Sequence, residues 1–118
     1  MTIQEIASRL HTLCSQGKFE DAQNELYAAD ATSAEPDRTH TIQTVHGLEA
    51  IIEKGRHFQS MIEAVHGGST GDPKVFGNTI FMELRMDVTM KGMGRMDMNE
   101  MCKYEVKDGK IISEEFFF

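Results

Sequence analysis

Apolar and polar residues alternate along much of the C-terminal half of the chain, and a repeat of two residues is typical of β-strands. Every second residue from Ile80 to Met90 is apolar, and a similar alternation resumes from Met96 to Val106. The segment Gly92–Gly94 separates the two runs, and a glycine-rich break of this kind indicates a turn. The pattern therefore predicts a hairpin of two long antiparallel strands.

The length of this turn predicts how the two strands face each other. A three-residue turn keeps both apolar sets on one face of the sheet and places Lys91 opposite Arg95. In that register Met86 lies opposite Glu100 on the inner face. Most of the other inner positions are methionines, whose unbranched side chains suit either an adaptable core or a pocket for an apolar ligand.

Glu100 is the one acidic residue on this otherwise apolar face. Burial of an unpaired carboxylate is unfavourable by several kcal/mol, so its charge must be compensated, removed by protonation or hydrated at the edge of a cavity. The sequence leaves two interpretations open. Glu100 is either a catalytic or ligand-orienting carboxylate in a pocket, or a structural one that pairs with a basic residue or lies at a solvated rim.

Helical periodicity dominates the N-terminal half. Thr2 and Glu5 have the spacing of a capping box and begin a helix that we expect to end near Gln16. A second, short helix is predicted over Lys18–Tyr27. A third is predicted from Leu48 to about Val65, because its apolar residues fall on less than half of the helix circumference.

The remaining segments predict short strands and one loose connection. Asp30–Pro36 ends in a proline and is predicted to be a brief edge strand, with Glu35 on the same side as two small residues. Gln43–His46 and Lys110–Phe118 are predicted as further strands. His66–Gly77 is dense in turn-forming residues and is expected to be a loose connection.

This order of elements indicates an α+β fold. Three helices precede a meander of long strands, so we expect the helices to pack on one face of a strongly curved, mostly antiparallel sheet and to enclose a conical pocket. A chain of 118 residues suffices for one hydrophobic core, and we expect residues 1–118 to form a single domain.

Composition and charge narrow the possible partners. The net charge of −7 argues against a nucleic-acid partner, which requires a concentrated basic surface. No secretory signal or membrane-spanning segment is recognisable, so we expect a cytoplasmic protein that does not bind membranes. Cys14 and Cys102 each fall on an apolar face and are interpreted as buried, unreactive thiols rather than a disulfide or part of a metal site.

Three segments carry a resemblance to a known family. They are QGKFEDAQNELYAADATSAEP, VHGLEAI and YEVKDGKIISEEFFF, and their order and spacing extend over the whole chain. The sequence resembles the SnoaL-like and ketosteroid isomerase-like branch of the nuclear transport factor 2-like superfamily. The resemblance implies a cone-shaped fold with a pocket between the third helix and the sheet. It also implies proton transfer next to a carbonyl, ring closure, dehydration or epoxide opening, without a metal or other cofactor.

The same resemblance assigns roles to individual positions. The general base of the isomerase, an acid just before a proline in the first strand, corresponds to Glu35. The two oxyanion-binding donors of the isomerase correspond to Leu10 and to a position at or beside Cys102, and neither is retained. Steroid isomerase activity is therefore not expected.

A rearranged catalytic set is predicted instead. It consists of Glu35 as the base, Glu100 as an acid with a raised pKa, and Tyr104 as a hydrogen-bond donor two residues further along the strand. The facing of Glu114 stays open, because consecutive isoleucines leave the register of the last strand undecided. No metal ligands are predicted. The residues predicted to line the pocket are Leu10, His46, Phe58, Ile62, Met82, Met86, Met98, Cys102, Glu114 and Phe116.

Three further expectations concern the surface and the edge of the pocket. The family commonly forms homodimers through the outer face of the sheet, and Phe81 and Phe117 on that face fit such a contact. Gly67–Lys74 is glycine-rich where the family has a continuous strand, so we expect the pocket to be more open there. His57 is expected to be solvated.

Three classes of function remain open on this reading. The first is an isomerase, cyclase or dehydratase that acts on a small apolar carbonyl compound. The second is a non-catalytic binding protein for a hydrophobic small molecule, which the methionines and the missing oxyanion donors favour. The third is an assembly domain whose cavity has no function.

Overall fold

The structure is a computed structural model that describes residues 1–36 and 42–117. Helix α1 spans Ile3–Ser15, α2 spans Phe19–Leu26 and α3 spans Leu48–Ser60. The predicted capping box is present, because the Thr2 hydroxyl accepts a hydrogen bond from the Glu5 backbone at 3.2 Å and the Glu5 carboxylate accepts one from the Thr2 backbone at 2.8 Å.

The strands of the described chain form one curled, unclosed sheet. They are β1 (Tyr27–Pro36), β2 (Ile42–His46), β3 (Ile62–Thr70), β4 (Lys74–Phe76), β5 (Thr79–Met90), β6 (Gly94–Lys107) and β7 (Lys110–Phe117). Their order is β2-β1-β7-β6-β5-β3, and β4 pairs with β5. Only the pairing of β1 with β7 is parallel among these described strands. The α+β architecture with a mostly antiparallel curved sheet is confirmed.

The core lies between the helices and the inner face of the sheet. Its members come from all three helices and from β1, β5, β6 and β7. Burial of each large side chain contributes about 1.5–3 kcal/mol. The largest fully buried side chains include Ile6, Leu10, Leu26, Ile51, Ile80, Met82 and Ile111.

Strand β1 corrects the prediction of a brief edge strand. It pairs with β2 on one side and with β7 on the other, so it lies inside the sheet. Its proline is the last residue of the strand, where the missing N–H does not interrupt the ladder. The predicted alternation is nevertheless present, because Ala31 and Ser33 are buried.

The side chains of the β5–β6 hairpin lie on the predicted faces, but the two strands pair in a different register. Met90 pairs with Gly94, so the turn is formed by residues 91–93 and the pairing of the two strands is shifted by two residues from the prediction. Leu84, rather than Met86, lies opposite Glu100. An offset of two residues keeps every side chain on its predicted face.

Helix α3 ends at Ser60, and the prediction that it continues to about Val65 was wrong. Ile62 and Val65 have helical spacing, but they belong to β3 and pair with Met90 and Val88 of β5. The carbonyl of Met61 already accepts a hydrogen bond from Lys91 in the hairpin turn, at 2.8 Å. These contacts with the hairpin replace a further helical turn.

The glycine-rich segment after α3 also differs from the prediction. Residues 62–70 form strand β3, which is almost entirely exposed and therefore lacks an apolar alternation. Its backbone approaches β5 so closely that a Cβ on Gly68 would lie 2.9 Å from the Arg85 carbonyl oxygen. Glycine is required there for packing. The segment predicted to be a loose connection is thus a strand as far as Thr70, and residues 71–73 separate it from β4.

A bulge in β7 settles which way Glu114 faces. Ile111 pairs with Val106 and Ser113 pairs with Glu105, so Ile112 is an extra residue between them. Ile111 and Glu114 are consequently both buried.

Cys14 and Cys102 are buried free thiols, as predicted. Burial raises the pKa of each to about 12, so both are protonated at neutral pH. Across the described ranges, no helix is both long enough and apolar enough to span a bilayer.

Candidate functional site

A cavity of about 420 Å³ lies between the helices and the inner face of the sheet. This volume is in the range of small-molecule sites. The exposed side chains of His57 and Met93 lie at its rim. Most of its wall is apolar and includes Leu10, Ile51, Phe58, Leu84, Met86 and Met90.

Three glutamates from different strands reach this cavity. Glu35 comes from the end of β1, Glu100 from β6 and Glu114 from β7. The alternation of β1 and β6 turns the first two inward, and the bulge in β7 turns the third inward. The cavity therefore combines an apolar wall with a concentration of acidic groups.

Lys54 of α3 supplies a positive charge to the same cavity. Its Nζ donates a hydrogen bond to Ser33 Oγ at 3.0 Å and lies 3.5 Å from Glu35 Oε1. Nζ also lies 5.7 Å from the ring centroid of Phe116, within the range of a cation–π interaction. The Lys54 and Glu35 side chains are 29% and 36% exposed, so this ion pair is partly hydrated.

Glu114 is the most deeply placed of the three acids and is only 4% exposed. Its Oε2 accepts a hydrogen bond from the Tyr27 hydroxyl. Desolvation raises the pKa of Glu114, while the hydrogen bonds from Tyr27 and Ser33 and the charge of Lys54 oppose this shift. The tyrosine and the serine explain how a carboxyl group can lie so deep.

Glu100 has the electrostatic environment of a proton-transfer group. Burial is the main cause that raises its pKa to about 7, and the neighbouring charge of Glu35 adds to the shift. Lys54 acts in the opposite direction. A carboxyl group with a pKa near 7 both accepts and donates protons readily at neutral pH.

Tyr104 lies in the cavity wall and is 4% exposed. Burial raises its pKa well above the usual value, and the neighbouring Cys102 thiol adds to the shift. Its hydroxyl is consequently neutral and able to donate a hydrogen bond.

The structure brings most of the predicted site residues into one cavity. Its wall contains all three residues predicted to be catalytic and five of the ten predicted to line the pocket. These eight are Leu10, Glu35, Phe58, Met86, Glu100, Tyr104, Glu114 and Phe116.

The other five predicted lining residues lie outside the cavity wall. Met82 and Cys102 face the correct side, but they pair with each other and are sealed in the core. Met98 lies nearer the hairpin turn, opposite Met86. Ile62 is outside because it starts β3 instead of continuing α3, and His46 lines a separate depression beside the start of α3.

Lys54 and Tyr27 were missed by the sequence reading. Lys54 follows Ile51 by three residues and precedes Phe58 by four, so helical spacing alone places it on the inward stripe. Tyr27 was assigned to the end of α2, whereas it begins β1. His57 is exposed, as predicted, but it lies at the cavity rim.

In residues 1–36 and 42–117, no group of three or more His, Cys, Asp or Glu side chains has the arrangement of a metal site. The cavity wall itself contains carboxyl, ammonium, hydroxyl, imidazole and thiol groups.

Similarity to known proteins agrees with this architecture. A protein from Mesorhizobium loti, described with its crystal structure as a candidate SnoaL-like polyketide cyclase, is 38% identical, with a TM-score of 0.92 over 100% of both chains. A Jannaschia protein described in the same way is 17% identical, with a TM-score of 0.75 over 98% of this chain and 83% of its own. No curated protein matches the sequence.

A third structure, from Catenulispora acidiphila, has a ketosteroid isomerase-like fold and was solved with trimethylamine. It is 19% identical, with a TM-score of 0.73 over 99% of this chain and 87% of its own. At this identity the likeness concerns the fold alone. The family model described as the SnoaL-like domain matches residues 1–118, and the chain therefore belongs to the SnoaL-like domain family.

Proposed function

We propose that this protein is a metal-free proton-transfer enzyme that acts as an isomerase, cyclase or dehydratase on a small apolar carbonyl compound. The observation that carries the proposal is the placement of Glu35 and Glu100 in one largely apolar cavity of about 420 Å³. Burial and a neighbouring negative charge both raise the pKa of a carboxyl group. Acids grouped in an apolar wall can therefore reach the pKa near neutrality that proton transfer requires.

In this proposal Glu100 is the group that gains and loses the proton. Its carboxylate removes a proton from the carbon next to the carbonyl, and the electron pair of the C–H bond moves towards the carbonyl oxygen. Return of the proton to another atom completes an isomerisation. Attack of the new enolate on a second carbonyl group would instead close a ring, and subsequent loss of water would give the dehydrated product.

Glu35 and Tyr104 have supporting roles. The charge of Glu35 raises the proton affinity of Glu100, while Glu35 itself is paired with Lys54. This arrangement favours Glu100 over Glu35 as the reacting base, although the resemblance to the isomerase assigns that role to Glu35. Tyr104 is two residues beyond Cys102 on the inner face of β6, and we propose that its neutral hydroxyl donates to a bound ligand.

Hydrogen exchange at carbon tests the proposal without knowledge of the final product. Enolisable ketones of a size that fits the cavity are incubated with the protein in D₂O, and deuterium incorporation next to the carbonyl is followed by NMR. We expect the wild type to accelerate exchange and Glu100→Gln to lose about 100-fold or more of that rate.

The matched control is Glu83→Gln, because Glu83 lies on β5 with an exposed side chain outside the cavity wall. This variant should exchange at the wild-type rate. Equal rates for Glu100→Gln and the wild type would contradict the assignment of Glu100, and absence of exchange with every ketone would contradict the enzyme class.

The second candidate function is a non-catalytic binding protein for a hydrophobic molecule. Met86, Met90 and Met93 in the cavity wall favour it, because flexible thioether side chains adapt to ligands of different shape. A binding protein would show a ligand-induced rise in the melting temperature that Glu100→Gln retains, with no exchange at carbon.

We also propose that two copies associate through the outer face of the sheet. Met101 and Phe117 pair across β6 and β7, and they are 38% and 48% exposed. Neighbouring exposed apolar side chains of this kind favour a partner surface. Light scattering after size exclusion should give twice the mass of one chain, and Met101→Lys should reduce it; a monomeric wild type would contradict the proposal.

A further inference from the structure

Lys54 is held in the cavity wall by groups on several sides. Ser33 Oγ lies 3.0 Å from Nζ, Glu35 Oε1 lies 3.5 Å away, and the centroid of the Phe116 ring lies at 5.7 Å. Ser33 is fully buried, so one partner of the ammonium is fixed in the core. The position of the charge is thereby established before any ligand binds, which is the condition for effective electrostatic stabilisation.

The ammonium has capacity for a further acceptor. An ammonium group has three N–H donors and no acceptor. In the part of the chain that the structure describes, two oxygens lie near Nζ, those of Ser33 and Glu35. Because Lys54 also contributes to the cavity wall, a third N–H is available to an oxygen atom of a bound molecule.

The reaction proposed above creates a need for such a donor. Removal of a proton next to a carbonyl leaves negative charge on the carbonyl oxygen, and that charge must be stabilised inside an apolar cavity. The two positions that correspond to the oxyanion-binding donors of the isomerase do not supply one. Leu10 has no polar group. Cys102 is fully buried, its pKa is about 12, and a thiol is a weak hydrogen-bond donor.

The charges facing Lys54 are compatible with an oxyanion once the proton has moved. Glu100 becomes neutral when it takes the proton, Glu114 is held deep in the cavity by Tyr27, and Glu35 balances one positive charge. His57 at the rim completes the set of ionisable groups from α3 that border the cavity. The Lys54 charge already acts on Glu100, so it also reaches a molecule that contacts Glu100.

We propose that the Lys54 ammonium is the oxyanion-binding group of this cavity, and that the site takes enolisable carbonyl compounds and phenols through their oxygen atom. The inference rests on the proposed proton-transfer function and adds the residue that receives the developing negative charge. Lys54 would then be catalytic in the strict sense, because it contacts the reacting oxygen.

The test uses 4-nitrophenol, which absorbs visible light only as the anion, so the ratio of bound anion to bound neutral phenol can be measured directly. The background is Glu100→Gln, because glutamine mimics the protonated acid that accompanies an oxyanion and removes changes in Glu100 ionisation. Addition of Lys54→Met should lower the anion-to-neutral ratio of the bound probe about tenfold or more.

Two further variants make the result specific. Lys54→Arg retains a positive charge and should retain most of the bound anion, while Lys107→Met removes an exposed lysine at the end of β6 and should have no effect. If Lys54→Met fails to fold, as judged by circular dichroism, Lys54→Gln replaces it with the same expectation.

An unchanged ratio in Lys54→Met, or in Lys54→Gln where that variant replaces it, would overturn the inference, as would failure of the Glu100→Gln protein to bind the probe. The outcome is separable from that of the ketone experiment, because probe ionisation does not require turnover. Loss of the bound anion without any ketone exchange would refute the enzyme and leave Lys54 as an oxyanion-binding residue.

Discussion

The hydroxyl of Tyr27 donates a hydrogen bond to Glu114 Oε2 and joins the first residue of β1 to the interior of β7 at the floor of the cavity. Ser33, which pairs with Glu114 in the parallel β1–β7 ladder, adds a second hydrogen bond. Glu114 is therefore an anchored acid, whereas Glu100 on the neighbouring strand is the acid that the proposed reaction uses. The two inward acids on β6 and β7 consequently have different roles.

Tyr27→Phe should destabilise the protein by about 1–3 kcal/mol at neutral pH, because it removes one of the hydrogen-bond donors of a buried carboxyl group. The pKa of Glu114 should rise further, since the lost hydrogen bond favours the ionised form. Urea denaturation measures the change. Tyr104→Phe is the control, because that hydroxyl is as buried as that of Tyr27 but lies next to a thiol instead of a carboxyl group, so the loss of stability should be smaller. Equal losses in the two variants would contradict the anchoring role.

Because of Glu100, the free energy of unfolding should decrease as pH rises. Its pKa is raised from 4.5 to about 7 in the folded protein, so the native state binds the proton more tightly than the unfolded chain does. The stabilisation that results from protonation of Glu100 is fully present below the pKa of the unfolded chain, 4.5, and is lost as pH rises through about 7. Glu100→Gln should remove the dependence.

Unfolding in urea at several pH values measures this effect. The free energy of unfolding of Glu100→Gln, relative to that of the wild type, should increase by on the order of 1–3 kcal/mol from about pH 4.5 to pH 8. This range allows for solvent screening of a partly exposed group. Glu83→Gln should follow the wild-type curve. A constant difference between Glu100→Gln and wild type at all pH values would show that Glu100 titrates normally.

The neighbours of Glu100 should shift its pKa in opposite directions. Glu35→Gln removes a negative charge that raises the pKa, so the value should fall below about 7. Lys54→Met removes a positive charge that lowers the pKa, so the value should rise. Carbon-13 NMR of labelled glutamate carboxyl groups measures both, with Glu100→Gln to assign the signal. A shift of the same sign in both variants would contradict the electrostatic account.

The sequence could predict the faces of the long strands because alternation and an odd turn length determine parity. It could not distinguish a turn at 92–94 from one at 91–93, since Met90 opposite Gly94 preserves the same inner face. Strand β3 was hidden for a different reason. Exposed residues carry no apolar alternation, and the spacing of Ile62 and Val65 also fits a helix.

The sequence could predict much of the cavity wall, but only some of its charged groups. Glu35 and Glu100 could be placed inward by counting along their strands, whereas Glu114 depends on a bulge at Ile112 that consecutive isoleucines do not reveal. Lys54 was missed because hydropathy assigns a lysine on a helix to solvent. Its spacing from Ile51 was the available signal, and only the tertiary arrangement shows what the ammonium contacts.

Two neighbouring glycines of β3 provide a matched test of the close approach to β5. A Cβ at Gly68 would lie 2.9 Å from the Arg85 carbonyl oxygen, while one at Gly67 would meet nothing within 4 Å. Gly68→Ala should therefore destabilise the protein by about 1–3 kcal/mol, because backbone must move, and Gly67→Ala should be neutral or slightly stabilising. Thermal unfolding compares the two. If both variants melt together with the wild type, the backbones of β3 and β5 do not approach each other this closely.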